Sequence, residues 1–450
     1  MAPCRTAGPR MSLQTEVLVP GESIMMTLKA QEGQGRDQRQ TKVRDVVSEI
    51  IAAIRQDGDA ALRRYSEQLD GWSPESFRLS DREIEDCVAQ VPQQTIEDIR
   101  FCQDQVRAFA RAQRDSMHDF EIETIPGVRL GQRLIPINNA GAYVPGGRYP
   151  MVASAHMSIV TAKVAGVGRV AACTPPLNGS PPAATVTAMH MAGADEIYIM
   201  GGVQAVAALA LGTETIPRVD FLAGPGNAYV AEAKRQLFGI VGIDLLAGPT
   251  EILVVADEAA DPVLVAADLL GQAEHGPESP AVLITTSEQL ARDVLAELDR
   301  QLTVLPTADI AGVAWRDWGR IQLADSIEEL VQIADGLAFE HVEIHTRSPR
   351  YFLERLSNYG SLFLGEETTV AYGDKTIGTN HILPTAGAAR YTGGLFVGKY
   401  LKTVTYQQCT PAASVVIGEV CARQCRLENF EGHALTCDLR VRKYGSEEQA

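Results

Sequence analysis

The chain has 450 residues, 45% of them apolar, and 57 acidic against 40 basic side chains give a formal net charge of −17. That length can bury a large core in more than one domain. The charge repels phosphate backbones and no Lys/Arg cluster offers a local exception, which argues against nucleic acid as a partner. No apolar run approaches the ~20 residues of a membrane-spanning helix. The first forty residues mix Arg, Gly, Gln and Pro without the apolar core of a secretory signal, and residues 1–40 read as a flexible extension. Eight cysteines are scattered with no C-x-x-C pair, which points to a reducing, cytoplasmic location. Cys421 and Cys425 are spaced like zinc ligands but lack a second pair nearby.

In chain order, Val46, Val47, Ile50, Ile51, Ile54 and Leu62 recur at three- and four-residue intervals and predict a helix over Val43–Leu62. A second helix is predicted over Val88–Ala112. After Arg133 the texture changes to short apolar runs punctuated by Gly and Pro. Arg169–Cys173 and Glu196–Met200 read as strands, alternating with helices at Pro182–Ala192 and Gln204–Leu211. A second set follows: a strand at Glu251–Ala256, a helix at Asp261–Glu274, a strand at Ala281–Thr285 and a helix at Glu288–Leu302. Alternation of this kind builds parallel sheets covered by helices, so the fold class is α/β, with two similar halves placed to flank a cleft. The last sixty residues are polar and helix-like and close on a strand-like run, Leu439–Tyr444, as a small C-terminal domain or tail.

Three segments carry side chains suited to chemistry. In Asp261–Pro277, Asp261 is an N-cap, Pro262 suits the first helical position and Gly276-Pro277 ends the helix, so Gln272 and His275 share one face of the last turn. Such a pair can reach one metal ion or ligand; on spacing alone a solvated helix end is the simpler reading. Glu340 and His341 sit side by side before the strand-like Val342–His345 and offer two proton acceptors with separable pKa values. On spacing alone a solvated strand start is the simpler reading. The run Gly373–His381 places Asp374, Asn380 and His381 among glycines that let the backbone approach a ligand. His118, His156 and His190 read as structural or surface residues. Gly-rich turns at Tyr143–Gly147, Gly201-Gly202 and Gly224–Asn227 suit a phosphate-bearing cofactor, yet none matches G-x-G-x-x-G.

The order and wording of these strings resemble the histidinol dehydrogenase family over about Val43–Tyr444. The strings are Gly141–Gly147, Gly201–Ala205, Ala223–Ala228, Leu246–Glu251, Gln272–Gly276, Glu340-His341 and Gly378–Pro384. The resemblance implies two Rossmann-like α/β domains flanking a cleft, with small N- and C-terminal extensions that pack in a dimer. It implies a first domain of residues 41–142 plus 251–390 with the catalytic and zinc residues, a second of 143–250 with the NAD site, and a tail of 391–450. It implies one zinc per subunit on Gln272, His275, Asp374 and, from the partner subunit of a homodimer with shared sites, His433.

Glu340 and His341 match the family's catalytic pair, with His341 taking the alcohol proton and Glu340 activating water on the aldehyde. The implied substrate contacts are Thr250, Gln272, His275, His341, Asp374, His381, Glu431 and His433, and the implied NAD contacts are Tyr143, Gln204 and Asn227. Thr250, Phe339 and the Glu431-Gly-His433 spacing depart from the histidine-biosynthetic pattern. They resemble instead a paralogous branch similar to sulfopropanediol dehydrogenase, which implies a small polar alcohol other than histidinol, histidinol itself being the alternative. A catalytically silent binding subunit is the reading from another class. Lys375, Arg390 and Lys399 are cations available to an anionic substrate.

Overall fold

The computed structural model describes residues 34–146, 150–246 and 248–445, so the expected flexible extension lies outside the described residues up to position 33. The described residues begin with α1 (Gln34–Asp70), two helical segments joined at a kink where Gly58 has φ +51°, followed by α2 (Asp81–Ala89) and α3 (Gln93–Asp115); the helix expected over Val43–Leu62 is thus broken at Gly58. The single helix expected over Val88–Ala112 is two, because Pro92 has no N–H to donate and disfavours helical backbone at the residue before it. A hairpin of β1 (Phe120–Ile125) and β2 (Val128–Pro136) follows.

The first parallel sheet is built from β3 (Asn139–Tyr143), β4 (Arg169–Thr174), β5 (Glu196–Ile199), β6 (Phe221–Ala223) and β7 (Gly242–Ile243). Between β3 and β4, α4 (Val152–Ala155) runs through a π-helical turn at His156–Val160 into α5 (Thr161–Ala165). The other connections are α6 (Ala183–Ala192), α7 (Gly202–Leu211) and α8 (Ala228–Leu237), and the strand order is β5-β4-β3-β6-β7.

The second sheet repeats the plan. Its elements are β8 (Ile252–Ala256), α9 (Pro262–Ala273), β9 (Ala281–Thr285), α10 (Glu288–Leu302), α11 (Ala308–Trp318), β10 (Gly319–Leu323), α12 (Ile327–Leu337), β11 (His341–His345), α13 (Pro349–Leu353), β12 (Ser361–Leu364) and α14 (Val370–Lys375). The order β10-β9-β8-β11-β12 is again parallel throughout. Each sheet has apolar layers on both faces, and β4, β8 and β9 are accordingly near-continuous apolar runs. Both sheets thus reverse strand order beside their first strand, at β3/β6 and at β8/β11, as expected of two related α/β halves.

The N-terminal helices differ from the expected partition. α1 packs on α7 and α8, α2 on α6, and α3 on α5, so these three helices cover the first sheet rather than joining 251–390, while β1 and β2 form a separate sheet with a strand from the C-terminal region. Periodicity identifies a buried face at Val47, Ile50, Ile51, Ile54 and Leu62 but not its partner, which is the α7 and α8 surface around Leu209 and Val230. After α14 the chain returns through β13 (Leu401–Cys409), which pairs antiparallel with β2, and ends in a hairpin of α15 (Pro411–Leu427) and α16 (Glu431–Gly445). The strand-like Leu439–Tyr444 is therefore helical. Its alternation coincides with a helical spacing that sets Ala434 and Val441 against α15, where Gly418 leaves room for Val441.

At the first crossover Gly224 has φ +127°, and a Cβ there would stand 2.0 Å from the carbonyl oxygen of Tyr143. Gly71 has φ +60° with nothing within 4 Å. Gly224→Ala should therefore lower unfolding stability by about 3 kcal/mol or more, against about 1 kcal/mol for Gly71→Ala, in urea denaturation. Equal losses would show that the close approach is not what demands glycine.

Candidate functional site

Adjacent parallel strands β8 and β11 bring two buried carboxylates together at their amino ends. Glu340 Oε2 accepts the backbone N–H of Glu251 at 3.1 Å, and Glu251 Oε1 accepts the N–H of Glu340 at 3.3 Å and of Ala386 at 3.1 Å. Each acid thus satisfies the backbone beside the other, which offsets part of the cost of burial. The Thr250 hydroxyl donates to Glu340 Oε2 at 2.5 Å and accepts from the Gln272 amide of α9, so Thr250 joins the two segments. Burial, and then the neighbouring Glu340, push the Glu251 carboxyl up from 4.5 to about 7.

His341 opens β11 and is 2% exposed. Its Nδ1 lies 3.1 Å from the carbonyl oxygen of Glu251, 3.3 Å from the Gln272 amide and 3.4 Å from Glu340 Oε2. The Glu251 carbonyl, the nearest partner, only accepts, and the Gln272 amide donates to Thr250, which assigns the hydrogen to Nδ1 and the lone pair of the neutral ring to Nε2. That nitrogen has no hydrogen-bond partner and faces Asp374 Oδ1 at 3.6 Å. Burial opposes a charge on the ring, but the Glu340 and Asp374 carboxylates outweigh it and hold the His341 pKa well above the usual value. Asp374, at the end of α14, is ionised far below the usual carboxylate range: burial works against it, and His341 and His381 prevail.

His381 completes the contact between the two halves. Its Nδ1 donates to the Asp374 carbonyl at 3.0 Å and its Nε2 meets the Ser154 hydroxyl of α4 at 3.1 Å. Burial lowers its pKa, and burial with His381 lowers that of His156 to about 4, so both rings are neutral near pH 7. Asn380 donates to the Met157 carbonyl at 2.9 Å, locking the same junction.

Thr250, Gln272, Glu340, His341, Asp374 and His381 therefore meet at one place, and His275 stands exposed beside them at the end of α9, within the field of Asp374. Glu431 and His433 lie on α16, where Glu431 pairs with Arg426 at 3.6 Å and the His433 ring packs at a tilt against Phe430, with centroids 5.3 Å apart. Among the described residues neither contacts the cluster within one chain. Of the three cations, Lys375 acts on Asp374, His275 and His381, whereas Arg390 is engaged by the carbonyls of Gly336 and Gly387.

Tyr143, Gln204 and Asn227 lie at or just beyond the carboxyl ends of β3, β5 and β6, the edge where open α/β sheets receive ligands. Tyr143 is buried with its hydroxyl accepting from Gly202 N at 3.2 Å, Gln204 is buried and donates to Asp70 at 2.9 Å, and Asn227 caps α8. The buried Gln204 Oε1 has no partner. Gly147 lies outside the described residues. Glu251, Ser154 and His156 were not singled out as site residues in the sequence. Glu251 falls inside the Leu246–Glu251 string, which was the available signal; nothing local marks Ser154 or His156.

The family profile described as histidinol dehydrogenase matches residues 34–441. A histidinol dehydrogenase homolog of Shouchella clausii is 63% identical over 90% of this chain and 95% of its own length. The sulfopropanediol 3-dehydrogenase of Ruegeria pomeroyi is 48% identical over 90% of this chain and 94% of its own. The crystal structure of histidinol dehydrogenase from Elizabethkingia anophelis superposes with a TM-score of 0.85 at 33% identity, covering 90% of this chain and 93% of that one.

Because the folded-state pKa of Glu251 is raised, its contribution to stability is fully present below about pH 4.5 and is lost as pH rises through about 7. In urea unfolding, Glu251→Gln should flatten that decline, gaining up to roughly 3 kcal/mol on wild type between those limits. Parallel pH profiles for the two proteins would contradict the assignment.

Proposed function

This chain belongs to the histidinol dehydrogenase family, and from that premise we propose that it oxidises a small polar primary alcohol other than histidinol, through the aldehyde to the acid, in two hydride transfers. As a member of the family it is an NAD-dependent, zinc-binding oxidoreductase acting on a CH–OH group. The observation that carries the mechanism is the unpartnered Nε2 of His341, presented by a ring whose Nδ1 is fixed on the Glu251 carbonyl.

The donor set fits zinc: a carboxamide from Gln272, an imidazole from His275 and a carboxylate from Asp374 that stays ionised despite burial. A fourth ligand, His433, comes in this reading from the α16 hairpin of a second copy, as does Glu431 for the substrate. When bound, zinc supplies a fixed charge that orients the alcohol, and NAD supplies the hydride acceptor. In its deprotonated form, reached above the raised His341 pKa, the ring removes the hydroxyl proton through Nε2 as the carbon is oxidised. Glu340, oriented by Thr250 and the Glu251 amide, then takes a proton from the water that adds to the aldehyde. Thr250 couples that carboxylate to Gln272, and His381 positions the Asp374 segment against the first half of the chain. Tyr143, Gln204 and Asn227 are assigned to NAD at the carboxyl edge of the first sheet.

The choice against histidinol is supported by 48% identity to a Ruegeria pomeroyi protein named for sulfopropanediol, against 41% to the histidinol dehydrogenase of the same organism. The exposed Lys375 beside Asp374 suits an anionic group on such a substrate. NADH formation from histidinol, dihydroxypropanesulfonate and related polyols checks this, and a kcat/KM highest for histidinol would sink it.

Glu340→Gln should leave the first oxidation measurable and slow conversion of supplied aldehyde to acid at least about 100-fold. Since Glu340 raises the His341 pKa, the rising limb of the first step should also move to lower pH in that variant. Equal loss of both steps with an unmoved limb would contradict the division of labour. Mixed and refolded subunits of His275→Ala and His433→Ala should recover activity that neither has alone, and no recovery would argue against sites shared between copies.

A further inference from the structure

At the opposite edge of the second sheet lies a buried ionisable group that the chemistry above does not use. Asp268 is on α9, one turn before Gln272. Glu343 and His345 follow His341 at alternate positions of β11 and so share its face of the sheet. Glu343 is fully buried and His345 is 2% exposed, yet Glu343 Oε2 and both ring nitrogens of His345 have no hydrogen-bond partner. One oxygen of each acid is anchored: Asp268 Oδ1 accepts from the Thr369 hydroxyl at 2.9 Å, and Glu343 Oε1 accepts from Val370 N at 2.6 Å. The other oxygens turn toward His345, whose Nε2 stands 3.6 Å from Asp268 Oδ2 and 3.6 Å from Glu343 Oε2. All three atoms lie within 4.8 Å of one another.

Those spacings exceed the ~3.2 Å limit of a good N–H···O hydrogen bond. They approach the edge of a coordination polyhedron, since tetrahedral bonds of about 2.1 Å set neighbouring ligand atoms about 3.4 Å apart. Charge points the same way. Two carboxylates and a neutral imidazole around a divalent cation form a neutral unit, whereas the same groups alone leave buried negative charge or require a trapped proton. The place also fits: it is the carboxyl end of β11 beside β8, where the strand order of the second sheet reverses.

We propose that Asp268, Glu343 and His345 bind a second divalent transition-metal cation, distinct from the one assigned to Gln272, His275 and Asp374. One imidazole with two carboxylates suits Zn2+ or Mn2+, with water completing the coordination. The site ties α9 to β11 directly and reaches α14 through Thr369 and Val370. These three elements carry Gln272, His341 and Asp374, with His275 two residues past the end of α9, so the cation fixes them from behind.

The full chain, loaded with Zn2+ or Mn2+ and dialysed, should hold two cations per subunit by elemental analysis. Asp268→Asn and His345→Gln should each hold one, Asp374→Asn should hold one, and Asp374→Asn combined with His345→Gln should hold none. Mn2+ bound to Asp374→Asn should give an immobilised paramagnetic resonance signal that disappears in the combined variant. Counts in Asp268→Asn and His345→Gln equal to wild type would overturn the proposal and leave the active-site assignment standing. A count in Asp374→Asn equal to wild type, with loss in the other two, would instead remove that assignment and keep the buried site.

Discussion

The site depends on the exchange of backbone hydrogen bonds between Glu251 and Glu340. Two acids buried side by side repel one another and lose hydration, and here each recovers part of that loss by accepting the N–H of the other's strand. The exchange fixes where β8 and β11 begin. It also leaves the Glu251 carbonyl directed at His341 Nδ1, which decides the tautomer of the ring and hence which nitrogen is a base. Thr250 extends the arrangement to α9, so the position of a candidate zinc ligand is set by the same two strand starts.

The two halves share one strand order but use opposite edges. In the first sheet the candidate cofactor residues lie at the carboxyl ends of the strands, as is general for open α/β sheets. In the second the catalytic candidates cluster at the amino ends of β8 and β11, next to the α4 segment that reaches His381 through Ser154. The two candidate groups are linked at one junction, where His381 meets the Ser154 hydroxyl and Asn380 meets the Met157 carbonyl. The carboxyl edge of the second sheet is then free for a different task, and the Asp268, Glu343 and His345 cluster occupies it.

The alternation of apolar runs and amphipathic segments was enough to read the α/β class and most strand positions, because strands buried on both faces are apolar throughout, as in Ile252–Ala256. The Asp261 cap and Pro262 start of α9 were legible for the same local reason. What periodicity leaves open is the partner of a buried face, so α1 to α3 were expected with the wrong sheet. Likewise, Leu439–Tyr444 read as a strand until the small residues of α15 supplied a helical partner. At the site, Gln272, Glu340, His341 and Asp374 stood out through ordered strings rather than spacing. Glu251 did not, since a carboxylate at a strand start is ordinarily solvated and only the fold buries it. His433 stays apart from the cluster within one chain, a separation that no reading of a single sequence resolves.

The most direct test is the protonation of His341 itself. With the ring labelled with 15N, the deprotonated histidine should show hydrogen on Nδ1 and a free lone pair on Nε2. In the zinc-free protein its pKa should stand above that of a solvent-exposed histidine. Hydrogen on Nε2 with a bare Nδ1, or a pKa below the usual value, would contradict the account.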